Sequence, residues 1–239
     1  MPPTLILVRH AEALHNVDKD YSIPDPELSE KGRQQCIALK ESLMPRIPDE
    51  LDVGLIVVSP MKRTIETALL AFPELIERGI PIVAHADWQE TTAKPCDTGS
   101  SLESLAAEFP QIDFSKVDPV WPDKTSPAGT KYMHSKQAIL ARGQSALADL
   151  YDRPEKAIIV VSHSGFLRQG VTGCWWINAD YRIFDFEEHK QPEDQYVLKE
   201  WESTRNGGLG WSWEERVPLG TGLPEDYSAV PVSETLKSS

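Results

Sequence analysis

The sequence predicts an α/β domain with a mainly parallel sheet. Two observations carry that prediction. Short, continuous apolar runs recur at residues 5–8 (Leu-Ile-Leu-Val), 55–58 (Leu-Ile-Val-Val) and 158–161 (Ile-Ile-Val-Val), with residues 81–84 a weaker fourth. Runs of this kind mark strands buried on both faces. Segments of helical periodicity lie between them, and strands alternating with helices indicate a parallel sheet.

The elements follow in chain order. After the first strand, Ser29 can cap a helix over about residues 30–43, with Cys36, Leu39 and Leu43 on its apolar face and Pro45 as its stop. After the second strand, Ser59-Pro60 reads as an N-cap followed by Pro at the first helical position, opening a helix to about Phe72. Residues 110–128 hold four prolines and read as an inserted loop. A long amphipathic helix is expected over about 130–151, and another just after His163. Residues 175–213 hold five of the seven tryptophans, and a late strand is expected over 195–202. Residues 217–239, with three prolines and two glycines, read as a draped or disordered tail. One domain over 1–239 is expected, with a cover segment inserted at about 92–128.

Composition excludes several classes. Hydrophobic residues make up 40% and charged residues 26%, which is globular rather than disordered. The net charge is −13, from 24 Lys and Arg against 37 Asp and Glu. A nucleic-acid binder carries the opposite footprint, and an anionic membrane surface attracts basic segments. No apolar run approaches a membrane span of about 18 residues. Three widely spaced cysteines (Cys36, Cys96, Cys174) with no CxxC fit free thiols in a reducing compartment and no zinc site. A cytoplasmic protein is expected.

Chemistry gathers where the apolar runs end. The first run ends in Arg9-His10-Ala11-Glu12, the second in Ser59-Pro60-Met61-Lys62-Arg63, the third in Ser162-His163-Ser164-Gly165. Ligands of parallel α/β sheets bind outside the carboxyl ends of the strands. Two arginines and two histidines should therefore converge on one rim. Arg forks match phosphate oxygens. A neutral imidazole is a competent nucleophile, and positive groups stabilise charge developing on phosphorus. Backbone N–H groups at the helix start after His163 would add anion donors. A nearby carboxylic acid could protonate the leaving alkoxide.

These residues resemble the histidine phosphatase superfamily, the phosphoglycerate mutase-like proteins. Residues 7–12, Leu-Val-Arg-His-Ala-Glu, are similar to its opening Arg-His-Gly/Ala-Glu signature. Asn16 and Ser22 follow at positions where the family places phosphate contacts. Residues 28–35 resemble its Leu-Ser/Thr-x-x-Gly-x-x-Gln stretch, residues 59–68 its second Arg segment, and residues 162–165 its second His segment. The resemblance spans about residues 4–175. It implies a three-layer sandwich of phosphoglycerate mutase-like fold. His10 would attack phosphorus and become a phosphohistidine. Arg9, Arg63 and His163 would clamp the phosphoryl oxygens, with Asn16, Ser22 and Ser164 as further phosphate contacts. Glu90 would be the acid, with Asp87 as its competitor. No metal and no cofactor are implied. Glu12 reads as support for the first loop, and His15 could face the pocket. His85, His134 and His189 read as surface or structural residues.

The family's glycolytic mutases carry Glu-Arg-His-Tyr-Gly at the acid position, where this chain has Gln89-Glu90-Thr91-Thr92-Ala93. The resemblance therefore implies a metal-independent phosphomonoesterase acting on a small phosphate monoester. The alternatives are a mutase-type phosphoryl transferase and a non-catalytic phospholigand-binding protein. Trp88, Phe109, Phe114, Val120 and Trp121 give the expected cover an apolar share. The acidic charge does not oppose a phosphate substrate. Residues 180–239 alone carry −7, which leaves −6 over the 179 residues holding the motifs. Bulk charge is screened beyond about 8 Å at physiological salt, so a small basic pocket can dominate locally.

Overall fold

Alternation within each apolar run sends side chains to opposite faces of one sheet. In β1 (Thr4–Arg9), Ile6 and Val8 enter one core, while Leu5 and Leu7 enter another. β2 (Val53–Val58) and β4 (Ala157–Ser162) divide in the same way. The computed structural model describes residues 1–188 and 195–225. With β3 (Ile82–Ala84), β5 (Tyr181–Phe186) and β6 (Leu198–Glu200), the sheet order is β3-β2-β4-β1-β5-β6. The first four neighbours are parallel, and β5 and β6 are antiparallel. This is the expected α/β fold around a mainly parallel sheet.

Helices cover both faces, giving three layers. The first five in chain order are α1 (Leu14–Val17), α2 (Glu30–Leu43), α3 (Lys62–Ala71), α4 (Pro73–Glu77) and α5 (Leu102–Glu108). From these, Cys36, Leu39, Leu43, Ile65, Ala68, Leu75 and Leu105 pack into the Ile6/Val8 core. On the other face lie α6 (Lys136–Tyr151) and, after β4, α7 (Ser164–Phe166), continued by a π-turn over Leu167–Thr172. Fully burying each Leu, Ile or Val side chain is worth roughly 1.5–3 kcal/mol.

The cap of α2 forms as expected: the Ser29 hydroxyl accepts from Gly32 N at 3.0 Å. The motif around it has a second use. A Cβ on Gly32 would sit 2.0 Å from the Glu12 carbonyl oxygen, so only glycine lets α2 approach the first loop. Gln35 Oε1 then accepts from Glu12 N at 2.8 Å.

Three expectations need correction. Ser59 and Pro60 do not open α3, which begins at Lys62 behind an uncapped Met61. The Ser59 hydroxyl is instead engaged by His163 Nε2 at 2.9 Å. The long helix is shorter than 130–151: a 3-10 turn over Pro127–Tyr132 precedes it, and Ser135 caps it. The late strand narrows to Leu198–Glu200, and β5 is an additional strand within the Trp-rich region.

The inserted 92–128 segment is part of the body. Asp113 adds a parallel bridge beside Val83, and Phe109 and Trp121 are buried in the core. Trp88 packs edge-on against Phe166 in the opposite core. Their apolar surface is therefore used in packing. In the described part of the tail, the Val217 and Gly220 N–H groups donate to the Gly173 and Gln169 carbonyls, and Leu223 is buried. Residues 226–239, like His189, lie outside the described residues. No helix among the described residues is long and apolar enough to cross a membrane.

Candidate active site

The carboxyl ends of β1, β2 and β4 bring Arg9, His10, Arg63 and His163 together. His10 follows β1, and its Nδ1 lies 2.7 Å from its neighbour's carbonyl, Ala11 O. A carbonyl only accepts, so Nδ1 carries the proton and Nε2 carries a lone pair. Arg63 Nε donates to that Nε2 at 3.2 Å. Arg63 Nη2 donates to His163 Nδ1 at 3.0 Å, which leaves the His163 proton on Nε2, facing Ser59 Oγ. The two imidazole centroids are 5.2 Å apart. Both rings are buried, and burial holds both pKa values well below 6.5, with Arg63 adding to the effect. Both are neutral bases at neutral pH.

The Arg63 segment is anchored by its threonines. Thr67 Oγ1 donates to Arg63 O at 2.6 Å and accepts from Ala11 N at 3.0 Å, tying α3 to the first loop. Arg63 itself is buried, with Nη1 on Cys96 O at 2.6 Å and Nη2 on Asp97 Oδ1 at 3.1 Å. Arg9 donates Nη1 to Trp176 O at 2.7 Å, while its Nε is buried and has no hydrogen-bond partner among the described residues. Burial lowers the Arg9 pKa to about 10, Glu90 opposing and Arg63 reinforcing the shift.

Glu90 sits on the helix start behind His163. Its Oε2 accepts from Gly165 N at 3.0 Å, and its Oε1 from Phe166 N at 2.9 Å and Thr91 N at 2.8 Å. A Cβ on Gly165 would come within 2.4 Å of Oε1, so glycine is required for the carboxylate to seat there. Its competitor Asp87 faces elsewhere: its carboxylate meets Lys131 Nζ at 2.7 Å and the Ser145 hydroxyl at 2.9 Å.

Asn16 is brought to the cluster. Its Oδ1 accepts from Ala13 N, and its Nδ2 lies 3.0 Å from His15 Nε2. His15 is buried, with its ring 5.9 Å from that of His10. Burial, reinforced by Arg63, lowers its pKa to about 4. Ser22 is not brought in: it is exposed, and its hydroxyl donates to Asp20 Oδ1 at 2.6 Å. Ser164 opens α7 half-buried, and no hydrogen bond among the described residues engages its hydroxyl. Glu12 supports the loop as expected, holding Ser29 and Lys31 at 2.8 Å each. His85 caps a turn and meets Asp149, and His134 meets Thr91 O.

Four contributors escape sequence reading: Asp97, Lys124 and Arg142, which are buried and charged, and the carbonyl of Cys96. Their segments have no periodicity and no motif. The one legible signal was a charged residue in a stretch that also supplies core aromatics, as with Lys124 after Trp121. The basic side chains of Arg9, Arg63, Lys124 and Arg142 outnumber the carboxyl groups of Glu90 and Asp97 here, whereas the whole chain is strongly acidic.

This fold and this pair of histidines on Arg63 define a phosphoryl-handling protein. The model of the histidine phosphatase superfamily (branch 1) matches residues 5–192, and the chain belongs to that family. A probable phosphatase of Schizosaccharomyces pombe is 32% identical over 197 residues, covering 80% of each chain. A phosphoglycerate mutase-like protein of Arabidopsis thaliana is 34% identical over 203 residues, covering 69% of this chain and 72% of its own. Among solved structures, a phosphoglycerate mutase from Bacillus anthracis superposes with a TM-score of 0.53 at 14% identity, covering 83% of this chain and 92% of its own. That likeness establishes the phosphoglycerate mutase-like fold. Family membership and the phosphatase-named relative support an enzyme of the phosphatase class.

Proposed function

We infer that the protein is a metal-independent phosphomonoesterase working through a phosphohistidine on His10. The observation that carries the reading is the His10 ring: Nδ1–H is fixed on Ala11 O, and the Nε2 lone pair is turned toward Arg63 beside His163. Its depressed pKa keeps that nitrogen unprotonated at neutral pH, and attack requires Arg63 Nε–H to turn from it to a phosphoryl oxygen.

The steps balance as follows. The Nε2 lone pair forms the N–P bond as the P–O bond to the alcohol breaks. Glu90, as the carboxylic acid, gives its proton to the departing oxygen. Arg9 and Arg63 hold the equatorial oxygens, where charge gathers in the transition state, and His163 joins them by turning its Nε2–H from Ser59 Oγ to an oxygen. Water then attacks phosphorus, Glu90 takes back a proton, and the N–P bond breaks to release inorganic phosphate and neutral His10. Asn16 orders the first loop through Ala13 and His15.

Incubation with an aryl phosphate in the presence of EDTA tests the reading. Hydrolysis that survives EDTA and is lost in His10→Ala is expected. Retained phosphate binding with no turnover would overturn it in favour of a binding protein. Interconversion of phosphoglycerates faster than phosphate release would favour a mutase.

A further inference from the structure

The loop that carries Glu90 has no helix or strand of its own, yet four consecutive carbonyls along it are taken by basic side chains. Arg142 Nη2 donates to Gln89 O at 3.0 Å. Lys124 Nζ donates to Glu90 O and to Thr92 O, both at 2.9 Å. His134 Nδ1 meets Thr91 O at 3.2 Å. Lys124 has a third bond, at 2.6 Å, to Asp97 O. All three ammonium hydrogens thus go to backbone carbonyls, and among the described residues the side chain makes no ion pair within 4.0 Å.

Stability alone does not account for this lysine. It is only 3% exposed, and removing an ammonium from water is unfavourable unless it is fully hydrogen-bonded. Burial, with Arg142 and Arg63 adding repulsion and Asp97 and Glu90 opposing it, lowers its pKa to about 7. A methionine would fill the same volume without that cost, though it would leave three carbonyl acceptors without this donor. What the ammonium adds is geometry. Its three acceptors belong to the residue expected to protonate the leaving group, to Thr92, and to Asp97. The Asp97 carboxylate in turn takes the Thr92 hydroxyl at 2.5 Å and Arg63 at 3.1 Å.

The geometry points to Lys124 as a positioning residue that sets the Glu90 carboxyl for proton donation. It does so by pinning the acid loop to the Asp97 turn. Lys124 sits in the inserted 92–128 segment, so that insertion acts on the chemistry from behind the acid rather than as a lid. The inference rests on the phosphomonoesterase reading. Displacement of a catalytic group by about 1 Å can cost roughly a hundredfold in rate.

The test is the leaving-group dependence of kcat/KM, which reports the first transfer step. Lys124→Met is compared with the wild type on an alkyl phosphate, whose alkoxide needs a proton, and on 2,4-dinitrophenyl phosphate, whose phenolate does not. The expected loss is about 10²-fold on the alkyl ester and less than about threefold on the dinitrophenyl ester. Glu90→Gln should show the same selectivity. Equal losses on the two esters, or none on either, would overturn the positioning role while leaving the phosphomonoesterase reading intact. A wild-type enzyme inactive on both esters overturns both. Where Lys124→Met does not fold, Lys124→Gln gives the same comparison.

Discussion

Arg63 Nε and His10 Nε2 meet at 3.2 Å, with the arginine as donor and the imidazole as acceptor. One guanidinium thereby fixes the protonation state of both histidines, since its Nη2 makes the equivalent contact with His163 Nδ1 at 3.0 Å. An ionised imidazole has no lone pair to offer at these positions, so the cluster holds together only when both rings are neutral.

That requirement makes stability depend on pH. Both histidines have folded pKa values well below 6.5, so the unfolded chain binds their protons first as the pH falls. Stability is fully present above about pH 6.5 and is lost on the acid side. Urea midpoints should fall between pH 7.5 and pH 5.5, and by less in His163→Gln. Midpoints that stay level across this interval, or rise toward acid, contradict the assignment.

Asp97 compensates the charge of Arg63 in a site both nearly bury. Asp97→Ala leaves the guanidinium with only neutral partners and should cost about 3 kcal/mol. Asp97→Asn, which keeps an acceptor for Nη2, should cost less. Urea denaturation of the two variants reads the difference directly: equal costs would mean that charge is all Asp97 supplies, and an Asp97→Asn variant as stable as the wild type would mean that charge is not what it supplies.

Gly165 is the floor under the Glu90 carboxylate. A methyl group there would lie 2.4 Å from Oε1. Gly165→Ala should therefore lower kcat/KM on an alkyl phosphate by about 10²-fold or more. Far-UV circular dichroism should remain that of the wild type. Unchanged turnover would show that the seating of this carboxylate is irrelevant to the rate.

Glu90 and Asp87 separate in the same assay. Glu90→Gln should reduce hydrolysis of an alkyl phosphate by a factor of about 10²–10⁴. Asp87→Asn, which weakens the contacts to Lys131 and Ser145, should leave turnover within a few-fold while lowering stability by about 1–2 kcal/mol. The opposite pattern would transfer the acid role to Asp87.

Much of this was legible in the chain, for physical reasons that differ from place to place. The three buried strands could be read because apolar side chains on both faces leave no room for alternation with polar ones. Arg9, His10, Arg63 and His163 could be placed together because parallel strands end on one rim. α2 was readable to its last residue because Ser29 and Pro45 act locally. Local rules misled at Ser59, whose hydroxyl is drawn across the sheet to a histidine 104 positions away. β5 was hidden because Arg182 interrupts its apolar pattern; that side chain is buried on Glu200 and on carbonyls from the Trp-rich region. Lys124 and Asp97 were hidden because their partners are backbone carbonyls and a distant arginine, which leave no mark in spacing. Ser22 matched a family position, but the neighbouring Asp20 captures its hydroxyl.

The central claim is that phosphorus passes through His10 Nε2. Rapid alkaline quenching during turnover of an aryl phosphate, followed by mass mapping of the peptides, tests it most directly. The account predicts a phosphoryl group on the peptide carrying His10, formed and discharged at rates compatible with kcat and absent in His10→Asn. Turnover with no phosphopeptide, a phosphoryl group on any other residue, or hydrolysis persisting in His10→Asn would contradict it.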